Sequence, residues 1–122
     1  VAAAAGRGDT IAGDIGQPIT INSLGRLGDN VSIAAGLGGN LGIGQNFRAD
    51  SNSVLLGRKG AKNIIGDNVS IGAGSVVAGS SLGNGTIVGA HTYVLDSTFP
   101  DGSVLAPNSV YVNGVRVGSV DW

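Results

Sequence analysis

Between Ile65 and Tyr111 a large residue opens a short unit at steps of six, six and five: Ile65, Ile71, Val77, then Leu82, Val88, Val94, then Phe99, Leu105, Tyr111. The whole pattern returns from Ile65 to Leu82 and again, after the same interval, from Leu82 to Phe99. A helix repeats its faces every 3.6 residues and a strand every two, so neither explains this spacing. A fixed longer period implies stacked structural units, each burying its face only against its neighbours. Three units per period predict a solenoid with three short, flat sides.

The other positions of the unit fit that prism. The first is expected to point a large aliphatic side chain inward. Four residues later come Val69, Ser75, Ser81, Thr86, Thr92, Thr98, Ser103 and Ser109, which are small or β-branched and suit an inward corner where space is short. The second position is usually Gly or Ala (Gly66, Gly72, Ala78, Gly83, Gly89, Ala106). The second and third positions are expected to make the bend, with glycine relieving crowding and permitting positive φ.

Composition supports an ordered all-β chain. Gly occurs 23 times, yet 42% of residues are hydrophobic and only 12% charged. Disordered segments have the opposite balance, with few β-branched residues and high charge. Aromatic residues make up only 4%, so the core must be aliphatic. A net charge of −1 gives no basic footprint for nucleic acid. There is no Cys, and hence no disulfide or thiolate chemistry, and every acidic residue is Asp. No apolar stretch approaches the roughly 20 residues of a membrane span. The opening at Val1 without Met suggests processing or an absent beginning, and leaves a turn edge that needs a cover. The compartment is not fixed by these features: soluble or peripheral, cytoplasmic or within an organelle.

The repeat extends upstream less regularly, through units opened by Ile15, Ile21, Leu27, Ile33, Ile43 and Ala49. "LLGRKGAKNI", Leu55 to Ile64, is too long for one side and predicts an exposed basic loop carrying Arg58, Lys59 and Lys62. After Tyr111 the repeat stops, and "VNGVRVGSVDW" alternates like a strand around an Asn113-Gly114 turn. The expected organisation is a β-helix over residues 1–112, of about six or seven turns, and a C-terminal tail or hairpin over 113–122.

Two stretches carry a family resemblance. "IAGDIGQPITI", Ile11 to Ile21, resembles a signature of Ile-Arg, a small residue, then Asp-Glu-Gly-x-Pro-Ile-x-Ile, with Asp14, Gly16, Pro18, Ile19 and Ile21 agreeing. "LGNGTIVGAHTYVLDSTFPDGSVLAPNSVYV", Leu82 to Val112, resembles the last turns of the same family, with a Pro-x-Gly corner at Pro100–Gly102. The family is the gamma-class carbonic anhydrases, which include the similar domain of the carboxysome scaffold protein. The resemblance implies a left-handed parallel β-helix; the spacing alone does not give the hand. It also implies a trimer with three His ligands on zinc at the subunit interface. Carried across, those ligand positions fall on Asn40, Ser51 and Leu56. A catalytic zinc needs about three protein ligands, and a chain with one His and no Cys does not supply them. The signature's Arg and Glu are Ala12 and Ile15, and the polar pair that follows is Ala34-Ala35.

The single His, His91, sits at the fourth position of "VGAHTYV" and is expected to face outward near a corner. As a general base it would serve a hexapeptide-type acyltransferase, with Asp96 and Asp101 the nearest acids in sequence. Without an orienting partner it is a surface or interface residue. "GRGDT" (Arg7-Gly8-Asp9) reads as a corner of the first turn rather than an adhesion motif. "GLGGNLGIG", Gly36 to Gly44, lacks the Lys-Ser/Thr and the helix of a phosphate loop.

The expected protein is therefore a three-sided, single-stranded parallel β-helix with a short C-terminal strand. Its expected role is that of a non-catalytic structural subunit, resembling a gamma-class carbonic anhydrase that has lost its zinc site. No cofactor, metal or nucleic acid is expected. The partners would be other subunits of a larger complex or further copies in a homotrimer. The alternative is an acyltransferase acting through His91.

Overall fold

The computed structural model describes residues 10–12, 19–21, 24–35, 41–57 and 63–119. Strands are short and follow one another around the prism. The first turn holds β1 (Thr10–Ala12), β2 (Ile19–Ile21) and β3 (Leu24–Leu27). The second holds β4 (Ser32–Ala35), β5 (Leu41–Ile43) and β6 (Phe47–Ala49), and the third β7 (Val54–Gly57), β8 (Ile64–Ile65) and β9 (Ser70–Ile71). Then come β10 (Val76–Ala78), β11 (Ser81–Leu82) and β12 (Ile87–Val88), followed by β13 (Tyr93–Leu95), β14 (Thr98–Phe99) and β15 (Val104–Leu105). The described chain closes with β16 (Ser109–Val112) and β17 (Val115–Ser119).

Every third strand pairs in parallel, so the strands form three sheets, one per side. The first sheet runs β1-β4-β7-β10-β13-β16 with β17 added at its end; the second runs β2-β5-β8-β11-β14; the third runs β3-β6-β9-β12-β15. This is an all-β parallel β-helix, consistent with the left-handed type. A strand of two or three residues has no stability of its own. Here each gains it from the backbone ladder to the turns on either side.

The ladder confirms the downstream register. Leu82 lies between Ile65 and Phe99, and Val88 between Ile71 and Leu105. Val94 lies between Val77 and Tyr111. Upstream the turn is longer: Ile11, Ile33, Leu55 and Val77 align in one column, and corner partners such as Asp29 and Ser51 stand 22 residues apart. Ile21, Ile43 and Ile65 align at the same interval, as do Leu27, Ala49 and Ile71. The extra five residues enter at one corner, between the first sheet and the second. Ile33 to Ile43 and Leu55 to Ile65 are ten residues each, against five from Val77 to Leu82. Five complete turns separate Ile11 from Tyr111. Arg7-Gly8-Asp9, the signature residues Asp14, Gly16 and Pro18, Ile15, and the basic residues Arg58, Lys59 and Lys62 lie outside the described residues.

The interior is one continuous aliphatic column, with Ile33, Val77 and Val94 fully inaccessible. Phe99 and Tyr111, edge to face at 5.5 Å, pack over its C-terminal end. Corners take small inward residues as expected, with one correction. On the short five-residue side the inward residues are Ser80 and Ser97, whereas Ser81 is half-buried and Thr98 exposed. A side one residue shorter brings the corner forward by one. The buried hydroxyls bond to strand-end carbonyls: Ser75 Oγ donates to Gly89 O at 2.7 Å and Thr92 Oγ1 to Ala106 O at 2.9 Å. Among the described residues no buried side-chain polar atom lacks a partner.

The glycine expectation divides in two. Second-position glycines are required by close stacking: a Cβ on Gly72 would come within 2.6 Å of the Ala90 backbone nitrogen one turn later. Positive φ occurs instead mostly at the fourth position, on Asn30, Asn52, Asn68, Gly74, Gly85, His91, Gly102 and Asn108. Asn, with a short side chain able to bond locally, tolerates this region better than other non-glycine residues. The Asn113-Gly114 turn, with φ of 53° and 79°, joins β16 to the antiparallel β17 as a hairpin. Both values suit the mirror-image turn favoured in two-residue hairpins.

Replacing Val88 by Asp would bury a carboxylate between Ile71 and Leu105, at a cost on the order of several kcal/mol. Thr98→Asp, on an exposed position, should change stability by no more than about 0.5 kcal/mol. Thermal or denaturant melts of both variants check this register; equal losses would contradict it.

Candidate functional site

The corners, where polar residues concentrate, are occupied by structural hydrogen bonding. At the corner between the second and third sheets, each third-position side chain caps the turn before it. Asp67 Oδ1 accepts from the Gln45 N–H at 2.7 Å, Asn84 Oδ1 from the Asp67 N–H at 2.8 Å, and Asp101 Oδ1 from the Asn84 N–H at 2.7 Å. The neutral Asn84 thus separates two carboxylates along the column.

Ser51 plays the same part at the corner between the third and first sheets, where its Oγ accepts from the Asp29 N–H at 3.1 Å. Leu56 lies on β7 and points out of the first sheet, between Ala34 and Ala78 of the adjacent turns. Asn40 lies outside the described residues. Of the three positions carried over from the zinc site, the two described are therefore a corner hydroxyl bonded to backbone and an aliphatic side chain on a flat face. Among the described residues no group of three His, Cys, Asp or Glu side chains is placed to hold a metal ion.

His91 occupies the left-handed corner position of its turn, with φ of 55°. It belongs to the column Asn30, Asn52, Gly74, His91 and Asn108, and its N–H donates to Ala73 O at 2.9 Å. Its imidazole lies over Gly74 of the preceding turn, where a Cβ would come within 2.8 Å of Nδ1. His is among the residues enriched in this backbone region. Asp96 takes the left-handed conformation just after β13, five residues along the chain from His91. Asp101 accepts the Asn84 N–H at a different corner.

What the sequence reading missed lies on the flat sides. The outward residues of the first sheet form two rows along the prism: Ser32, Val54, Val76, Tyr93, Val110 and Ala34, Leu56, Ala78, Leu95, Val112. None is charged. The third sheet presents a different row, Arg26, Arg48, Ser70, Ile87 and Val104, in register on successive strands. The longer upstream period is the signal that would have aligned Arg26 with Arg48.

No protein-family model and no curated protein matches this chain. Among the described residues no helix is long and apolar enough to cross a membrane.

The backbone role of His91 gives a specific expectation. His91→Gly should leave stability within about 1 kcal/mol of the parent, because glycine adopts positive φ without steric cost. His91→Val should lose about 1–3 kcal/mol, since a β-branched residue is a true outlier there. Denaturant melts distinguish the two, and an equal response would contradict the corner assignment.

Proposed function

We propose that this chain is a non-catalytic structural module: a gamma-carbonic-anhydrase-like scaffold without a zinc site, docking through a flat side into a larger protein assembly or a trimer of itself. The observation that carries this reading is the uncharged outward face of the first sheet, with Leu56 in its middle. Depletion of charge and a contiguous apolar area are what distinguish the core of an association surface from ordinary solvated surface. A side chain that would ligate zinc in the related enzymes is here an aliphatic contact residue, so the same place on the prism would serve binding rather than chemistry. A β-helix suits this role because its stacked backbone holds the face rigid, and little ordering entropy opposes docking.

The acyltransferase alternative would need His91 to act as a base. Its main chain holds a left-handed corner position, and Asp101 accepts the Asn84 N–H at a different corner. The structural reading is therefore preferred.

Leu56→Glu tests the proposal. The substitution faces outward, so melting should be close to that of the parent, whereas native mass should fall from a trimer or larger complex to the monomer. The purified parent should carry well under one zinc per chain by elemental analysis and hydrate carbon dioxide at the background rate. A monomeric parent at all concentrations, or stoichiometric zinc, would contradict it.

A further inference from the structure

The third sheet carries a row with no place in that reading. Arg26 and Arg48 are aligned partners on β3 and β6, so their side chains leave neighbouring strands roughly 4.8 Å apart on the same face. Like charges directly opposite on adjacent strands repel. Neither guanidinium is in an ion pair with another described residue, and both side chains are exposed. The small side chain of Ser70 follows in the row, then Ile87 and Val104, 49% and 71% exposed. Ser70 makes a dip between the larger side chains of Arg48 and Ile87. The result is a groove of about 550 Å³ lined by Arg26, Arg48, Asp50, Ser70, Gly72 and Ile87. Two guanidiniums against the one carboxylate of Asp50 leave it net positive.

We propose that this groove binds a single-chain amphiphilic anion. Its phosphate or carboxylate head would lie between Arg26 and Arg48, within reach of the Ser70 hydroxyl, and its alkyl chain would run along Ile87 toward Val104. Guanidinium offers paired donors matched to both kinds of oxyanion, and a shared anion converts the repulsion between the two arginines into attraction. The polarity of the row sets the orientation: cationic at the N-terminal end, aliphatic at the C-terminal end. From Arg26 to Val104 there are four strand spacings, about 19 Å, the reach of one extended alkyl chain with its head group rather than a bilayer surface.

Decyl phosphate, kept below its micelle-forming concentration, is the probe, titrated into the full chain by calorimetry. One molecule should bind per chain, at least tenfold more tightly than inorganic phosphate and than the uncharged decyl glucoside. Arg48→Gln should weaken binding at least tenfold and Ile87→Ser several-fold, with melting of the unliganded variants near that of the parent. Arg26→Gln provides a second head-group variant should Arg48→Gln fail to fold. Absence of binding, equal affinity for decyl glucoside or for inorganic phosphate, or indifference to these substitutions would overturn the proposal. Sedimentation with phosphatidic acid vesicles without binding of monomeric decyl phosphate would also overturn it, assigning the row to a membrane surface instead.

Discussion

The fold depends on register between successive turns. Among the described residues no strand exceeds five residues, and several have only two. Such segments persist because backbone N–H and C=O groups find partners one turn away and each inward side chain lands on its counterpart. Ile71, Val88 and Leu105 illustrate it: moved by one position, all three would face solvent and the outward row Ser70, Ile87 and Val104 would turn to the core in their place. Corner chemistry follows from the same demand. Glycine at the second position lets turns approach, Asn, His or Gly at the fourth bends the chain, and inward Ser and Thr satisfy the carbonyls at strand ends.

Register also explains how two turn lengths coexist. The longer upstream turns and the shorter downstream ones stack without disturbing the columns because the additional residues are confined to one corner. The three sides therefore remain continuous along the prism and become usable surfaces. Two carry uncharged outward rows; the third grades from arginine to aliphatic. In a solenoid, outward positions contribute little to the core, so their composition is free to serve association or binding. That freedom is the link between the repeat and the two roles proposed for this chain.

The downstream half was legible in the sequence because its units are complete. Val77, Val94 and Tyr111, like Ile65, Leu82 and Phe99, occupy the columns their spacing requires. Upstream, the short downstream frame was carried into longer turns, so "LLGRKGAKNI" stood out as an isolated excursion although Ile33 to Ile43 has the same length as Leu55 to Ile65. The corner Ser positions were misassigned by one residue because a five-step side and a six-step side look alike until the strands are paired. His91 drew attention as a rare titratable residue, whereas its backbone angle accounts for its place. The surfaces were not legible because outward neighbours lie a whole turn apart in sequence, and a wrong period separates Arg26 from Arg48.

Excision of residues 58–62 tests the central claim most directly. The shortened turn would run from Leu55 to Ile65 in five residues, as Val77 runs to Leu82, with Gly57 and Asn63 taking the places of Gly79 and Ser80. The register account predicts a folded chain with a cooperative thermal transition near that of the parent. Excision of 66–70, equally long but removing a corner and the strand residue Ser70, should abolish the transition. If the two deletions behave alike, or if loss of 58–62 alone prevents folding, turn register is not what holds this protein together.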